Sequence, residues 1–550
     1  MEIRTFLKIG VIVLMAAFVA CMEDADPTEL RGASGSHGSP AAKKDWAMAL
    51  HDARGSGYND GEKLLRPSTV GALEVKWRFD AADAGHEVGP IHASPVVLDD
   101  RVYVGSNLGR FYAIDRDGDM SWTYLPLQPN PLLASLVVPS PIGSPIEAVA
   151  TPIVGAAVLP SHKPYVIFGD MDGNLYALHR QTGAPVWVKP NVDGHDLGGV
   201  IGNSMVLAGD TLIVGFSSIE NYGLILAQQG YPCCTFRGMV AAFDVATGAE
   251  KWRFRTIPDG EQQALPASLA PFTFGPSGAD VWGQPTYDEH TDTVYFGTGQ
   301  NFSPRPDGGG GDYSDSIVAL DAHTGELRWS YQATADDVWA EGLPNPDPEG
   351  RYHDLDFGDS PKLYKLPGLG RVVGAGDKAG AYHVLDAETG ELVLRTQHLA
   401  TASALGGFQN LGATAHGLVY QHGLDRIGPV GSTAFKGKVL ALTPDGSDVV
   451  WSVSRPGSEI VGGLAVAHDV LYFQSPREEK APGDPPAWAL YAVHAKTGAV
   501  LKRVELPGRA VSSPVVSRGR VYIGDGNSAV AMLGVVENGG LLCLGLPGNP

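Results

Sequence analysis

One unit recurs along the whole chain and constrains its fold more than any other feature. It is an apolar strand, a polar turn, a strand ending near Ala-Leu-Asp, then Thr-Gly and a closing strand that carries Trp. Clear copies are LHRQTGAPVW ending at Trp187, FDVATGAEKW at Trp252, LDAHTGELRW at Trp329, LDAETGELVL at Leu394 and VHAKTGAVLK at Lys502, with looser copies at Trp122 and Trp451. Successive ends from Trp122 to Leu394 lie 65 to 77 residues apart. That exceeds the roughly 40–50 residues of common propeller repeats, so loops are inserted between strands. Stretches such as VYVGSNLGRFYAID alternate with period two, and no long apolar stretch has period 3.6, which favours four-stranded antiparallel blades over helical solenoid units.

Strand ends at Trp77, Trp122, Trp187, Trp252, Trp329, Leu394, Trp451 and Lys502 give eight units. The first has no blade before it, and VVSRGRVYIGDGNSAVAML near the C-terminus lacks a final strand. The segment GALEVKWRFD around Trp77 then supplies the outer strand of the last blade and removes an exposed edge. The expectation is an all-β, eight-bladed β-propeller over residues 61–536, with 22–60 as a tether and N-terminal extension and 537–550 as a tail.

Residues 1–21 carry Arg4 and Lys8 ahead of the apolar run IGVIVLMAAFVA, too short for a comfortable membrane span and followed by Cys21. This is the pattern of a signal peptide, and Phe18-Val19-Ala20-Cys21 resembles the lipobox of bacterial lipoproteins, although Phe18 stands where Leu is usual. The expectation is an exported, periplasmic protein, lipid-anchored through Cys21 to the outer membrane. A formal charge of −21 repels phosphate backbones, so nucleic acid is not an expected partner. No Cys-x-x-Cys-His is present, hence no c-type haem attachment site, and no Gly-x-Ser-x-Gly. The glycine run at 308–311 has no following Lys-Ser/Thr and is a loop, not a phosphate cradle.

The repeats resemble those of quinoprotein dehydrogenases, in which Ala-x-Asp-x-x-x-Gly-x-x-x-Trp segments dock neighbouring blades. Tyr231-Pro-Cys-Cys-Thr-Phe-Arg-Gly238 narrows the resemblance to pyrroloquinoline-quinone (PQQ)-dependent alcohol dehydrogenases, and among them to polyvinyl alcohol dehydrogenases. That resemblance implies that Cys233 and Cys234 are bridged to each other as a platform under one face of the quinone. It implies that Arg237 pairs with a cofactor carboxylate, a role suited to its bidentate fork, and that Trp282 in Val281-Trp-Gly-Gln-Pro-Thr286 covers the opposite face.

The same resemblance assigns metal-binding oxygens, suited to Ca²⁺ and compatible with a trivalent lanthanide. Gly215-Phe-Ser-Ser-Ile-Glu220 matches the strand end that delivers a Glu. Phe296-Gly-Thr-Gly-Gln-Asn301 matches the one that delivers an amide, but the family has Asn directly after Gly-Thr-Gly where this chain has Gln300, so both Gln300 and Asn301 are candidates. The family's Asp-x-Trp-Asp run is interrupted: Asp337-Val-Trp-Ala340 has Ala at its end. Asp354-Leu-Asp-Phe-Gly-Asp-Ser-Pro361 then restores the lead into the next strand. In that register Asp354 matches the catalytic base and metal ligand, Asp356 an accompanying carboxylate, and Lys378 in Gly376-Asp-Lys-Ala-Gly380 the lysine that contacts a quinone oxygen.

What the resemblance implies is oxidation of an alcohol, small or polymeric, with electrons passed to a separate acceptor such as a cytochrome c. Two other readings stand beside it: a non-catalytic outer-membrane lipoprotein scaffold, since such proteins use similar repeats, and a quinoprotein acting on sugars or aldehydes. The scaffold requires no clustering of the residues just named.

Overall fold

The computed structural model describes residues 44–548 apart from 134–149, 152, 224–225, 227–229, 258–262, 266, 268–269, 271, 304–312, 336, 343–353, 403–405, 410, 427–434, 456–461, 477–486 and 527–538. The expected signal peptide, Cys21 and the tether up to residue 43 therefore lie outside the described residues, as do the glycine run and most of the loop at 125–150. No helix among the described residues is long and apolar enough to cross a membrane.

Eight antiparallel sheets follow one another in chain order. Blade one spans residues 96–124, blade two 158–189, blade three 198–255, blade four 286–332, blade five 362–396, blade six 413–455 and blade seven 465–506. Blade eight takes Val515–Ser517, Arg520–Asp525 and Gly540–Gly545 from the C-terminus and Glu74–Phe79 from the N-terminus, Phe79 opposing Leu541 and Val75 opposing Leu544. The expected closure by the Trp77 segment is thus present.

The C-terminal boundary is corrected. Residues 540–545, assigned to a tail beyond the propeller, are the third strand of blade eight, and Leu541, Leu542, Cys543 and Leu544 are all buried. A run of four apolar residues sandwiched between two strands cannot remain outside a core without exposing its apolar surface.

The Thr-Gly…Trp signature has a direct physical reading. Six indoles donate across a blade boundary: Trp77 to the Arg116 carbonyl, Trp122 to Arg180, Trp187 to Val245, Trp252 to Ala322, Trp329 to Ala387 and Trp451 to Ala495, at 2.7 to 3.2 Å. Each ring lies on the turn glycine of the next blade; a Cβ on Gly183, for instance, would stand 2.7 Å from the Trp122 ring. Those glycines also have positive φ, +71° at Gly183, so contact and turn make the same demand.

A second correction concerns residues 45–60, placed outside the propeller in the tether and N-terminal extension. They form a strap that visits the inner edge of blade after blade. Trp46 exchanges backbone hydrogen bonds with Val97 of blade one, and the Ala47 carbonyl accepts from Leu159 of blade two. Met48 joins the apolar cluster of Met205 and Val206 in blade three. The carbonyls of Ala53, Arg54, Ser56 and Gly57 accept from Tyr287, Leu363, Thr414 and Val466 of blades four, five, six and seven. Asn59 Nδ2 donates to the Val516 carbonyl of blade eight at 2.8 Å, and Glu62 accepts from Gly519 N–H at 2.7 Å. Inner strands have unpaired backbone groups facing the channel, and the strap hydrogen-bonds to such groups in the other seven blades while packing Met48 on the third.

Gly57 is the tight point. Its φ is +60°, and a Cβ would stand 2.9 Å from Ala413 Cβ. Gly57→Val combines left-handed strain with overpacking, so a loss of about 2–4 kcal/mol is expected. A denaturant midpoint unchanged from wild type would show that the strap adds nothing to stability.

Candidate active site

A lateral ladder on one face of the ring gathers the chemistry. Segments 236–238, 278–280, 299–301 and 337–339 run side by side. Gly238 N–H donates to Gly278 O and Gly278 N–H to Phe236 O; Ala279 N–H donates to Gln300 O and Gly299 N–H to Asp280 O; Asn301 N–H donates to Asp337 O and Trp339 N–H to Asn301 O. The four segments belong to loops of blades three, four and five. Inserted lengths that broke the repeat spacing are therefore spent on one structure.

Strand Thr211–Ser218 ends in a short 3₁₀ turn, Ile219–Tyr222, whose Ser218 hydroxyl accepts from Glu220 N–H. Glu220 is fully buried. Its carboxylate accepts from the backbone of Thr235 at 2.9 and 3.0 Å and of Phe236 at 2.7 Å, and from the Tyr231 hydroxyl at 2.6 Å. Cys233 and Cys234 are bonded to each other, completely buried, with both sulfurs 3.6 Å from the Glu220 carbonyl. Glu220 and the disulfide loop are thus one unit. His195 closes its outer side, Nε2 lying 2.9 Å from Thr235 Oγ1.

Across the ladder, Lys378 is clamped between two acids. Its Nζ lies 2.7 Å from Asp354 Oδ1 and 2.9 Å from Asp356 Oδ1, and 5.5 Å from the centroid of the Trp282 ring. Trp282 Nε1 donates to Asp356 Oδ2 at 3.3 Å. Asp337 Oδ2 accepts from Leu355 N–H at 2.7 Å and so ties to the Asp354–Asp356 segment. From below, buried Asp359 accepts from Lys362, Gln421 and the backbone of Gly376 and Gly412, fixing the same segment to blades five and six.

Burial pushes the Asp354 carboxyl up to about 8, with Asp356 and Asp337 adding to the shift and Lys378 opposing it. The two acids in turn hold the Lys378 proton above its ordinary range, against burial. Burial, then Glu220 and Asp356, raise Asp280 well above the carboxylate range, and burial with Asp337 does the same to Asp315.

The expected residues are therefore joined by contacts rather than scattered: Cys233 and Cys234 to Glu220, Trp282 to Lys378 and Asp356, and Lys378 to Asp354. Arg237 sits in the ladder, bridged to Gly278. Gln300 Nε2 donates to the Trp339 carbonyl at 3.2 Å, whereas neither side-chain atom of Asn301 has a hydrogen-bond partner. Among the described residues, no three Asp, Glu, His or Cys side chains converge into a cage as they stand. Lys378 fills the gap between Asp354 and Asp356, and the Glu220 oxygens are turned onto the disulfide loop. Asp280, Asp315, His195 and Tyr231 were not singled out from the sequence. For Tyr231 a signal existed, its place two residues before the cysteines; Asp280 likewise directly precedes Val281-Trp282.

An eight-bladed ring with a lysine clamped between buried acids beside an indole, and a vicinal disulfide on Glu220, has the architecture of a quinoprotein-type propeller. Residues 46–404 match the family of the glucose/ethanol/alcohol dehydrogenase β-propeller domain that carries the PQQ name, and the chain belongs to that family. Residues 435–539 match a second propeller family, the outer membrane protein assembly factor BamB.

Polyvinylalcohol dehydrogenase of Sphingopyxis sp. (strain 113P3) is 28% identical over 403 residues, covering 70% of this chain and 56% of the relative. Polyvinylalcohol dehydrogenase of Pseudomonas sp. is 26% identical over 374 residues, covering 68% and 53%. The chain spans about half the length of these curated relatives. Among solved structures, quinohemoprotein alcohol dehydrogenase from Comamonas testosteroni superposes with a TM-score of 0.68 at 21% identity, covering 96% of this chain and 84% of that one. Europium-containing methanol dehydrogenase gives 0.67 at 18% identity, covering 92% and 98%. These two establish the fold.

Proposed function

We propose that this protein oxidises alcohols with PQQ as its redox group and a bound cation, Ca²⁺ or a trivalent lanthanide, and passes the electrons to a separate acceptor such as a cytochrome c. The observation that carries the reading is the Lys378 clamp beside Trp282, in the same loops that seat a buried vicinal disulfide on Glu220. A structural ion pair requires neither the indole nor the disulfide. The residues suit a cation: Asp280 Oδ1 and the Asn301 side chain are buried without partners, and Glu220, Asp280, Asp315, Asp337, Asp354 and Asp356 are all buried, with Lys378 paired to the last two. Buried carboxylates in such excess favour a hard cation with oxygen ligands.

When bound, the quinone accepts two electrons from the alcohol carbon as hydride. Cys233 and Cys234 would support one of its faces, Trp282 the other, and Arg237 a carboxylate of the cofactor. Glu220, Gln300, Asn301, Asp354 and Asp356 would contribute cation ligands. Asp354 would take the hydroxyl proton, its carboxylate being fixed at the site by Lys378. Lys378 would donate toward the oxygen that gains negative charge. A secondary alcohol or polyvinyl-alcohol-like polymer is the substrate class suggested by the two relatives, and export with a lipid anchor at Cys21 follows from the leader pattern.

Reconstituting the purified apoprotein with PQQ and Ca²⁺ tests the reading. Dye reduction by a secondary alcohol or polyvinyl alcohol is expected only with both additions, and to be lost when a chelator precedes the quinone. No quinone binding under any metal condition would leave the scaffold reading in its place. Cys233→Ser/Cys234→Ser is expected to weaken quinone binding about tenfold or more while leaving the melting temperature within a few degrees, because the pair supports the cofactor rather than the fold. Unchanged affinity in the double variant would remove the platform role.

A further inference from the structure

We propose that Asp280 is an additional ligand of the metal, supplying the carboxylate oxygen that the Gly-Thr-Gly-Gln strand end does not. The inference rests on the metal-dependent reading above and adds a residue to it. Asp280 is 5% exposed. Its Oδ2 is fixed by the Ser218 N–H at 2.7 Å, one residue before the turn that carries Glu220, while Oδ1 is buried with no partner. One oxygen is thus immobilised by the backbone and the other is left for something the protein does not contain.

The space beside it is kept open. A Cβ on Gly299 would stand 3.3 Å from Asp280 N, 3.4 Å from Asp356 Oδ2 and 3.6 Å from Asp280 Cβ, so both acids border the space that the missing side chain leaves. Asn301, with its unpartnered amide, lies two residues further on the same segment. A carboxylate buried beside Glu220 and Asp356 is costly without a compensating cation, and Lys378 is already engaged by Asp354 and Asp356. Gln300 has its amide nitrogen committed to Trp339, which leaves its neutral oxygen for a cation, and Asp280 would add a charged oxygen from across the ladder. More anionic ligand sets bind hard cations more tightly.

The test is a binding titration on the full chain without quinone. Terbium(III) emission excited through tryptophan reports an ion near Trp282, and displacement by Ca²⁺ gives the affinity. Asp280→Asn keeps an oxygen for the Ser218 N–H and removes the charge. Its Ca²⁺ affinity is expected to fall about tenfold or more, with a metal-free melting temperature equal to or above that of wild type. A purely structural Asp280 would instead lower the metal-free melting temperature and leave the titration unmoved, which overturns the inference. Gly299→Ala, which fills the gap, is expected to weaken Ca²⁺ binding likewise and carries the test if Asp280→Asn does not fold. If wild type binds neither ion, the metal reading fails and the inference with it; if wild type binds and both variants match it, the inference alone fails.

Discussion

Asp354→Asn is expected to lower kcat by roughly 10²–10⁴-fold while leaving quinone binding largely intact, the usual cost of losing a general base. The side chain is 3% exposed and held by Lys378 at 2.7 Å. Asn keeps its size and an oxygen for that lysine, but it cannot take a proton. Asp337→Asn is the discriminating companion, because the Asp337 carboxylate accepts from Leu355 N–H and an amide oxygen can do the same. Its turnover is expected to stay within about tenfold of wild type. Near-normal turnover in Asp354→Asn together with an inactive Asp337→Asn would move the base to the earlier aspartate and overturn the alignment across the interruption after Trp339.

Lys378→Met should have the second large effect, and on two properties at once. It removes the cation that contacts both Asp354 and Asp356, and breaking a buried pair from one side costs about 3–5 kcal/mol. The metal-free protein is therefore expected to melt well below wild type, with Ca²⁺ restoring more of the loss than it adds to wild type, since a cation can then satisfy both acids. Turnover of the loaded protein is expected to fall about 10²–10³-fold through loss of the donor to the developing negative charge. Lys378→Arg, which keeps the charge, should recover the melting temperature and only part of the turnover. Wild-type stability in Lys378→Met would mean that the acids are neutral and the clamp is not an ion pair.

What could be read from the chain differs by how local its cause is. The Thr-Gly…Trp unit encodes a turn and an indole that reaches the next blade, both fixed within a few residues of sequence, so blade order and the closure by Trp77 were legible. The strap from Trp46 to Glu62 was not. It has no periodicity, and its partners lie as far away as Val516 and Gly519, so only the assembled ring reveals why it is ordered. The strand at Gly540–Gly545 had a signal in its apolar run, but the repeat count appeared complete without it. At the site, the motif residues were found because resemblance supplied their spacing. Asp280 and Asp315 were missed because an acid beside a turn normally faces water. Their burial comes from the lateral ladder, which pairs segments of three blades and leaves no trace in any one of them.

The strap has a consequence for the size of the ring. Repeats that dock by one indole and one glycine could in principle close with one blade fewer or more, since six of the boundaries are alike. The N-terminal segment breaks that equivalence: it offers each blade a different residue, from Trp46 for the first to Asn59 for the last. It acts as a ruler laid across the hub, and a duplicated or deleted blade would leave it out of step with every blade that follows. Because its marks are matched from Val97 through to Gly519, the measurement is complete only when the last blade exists.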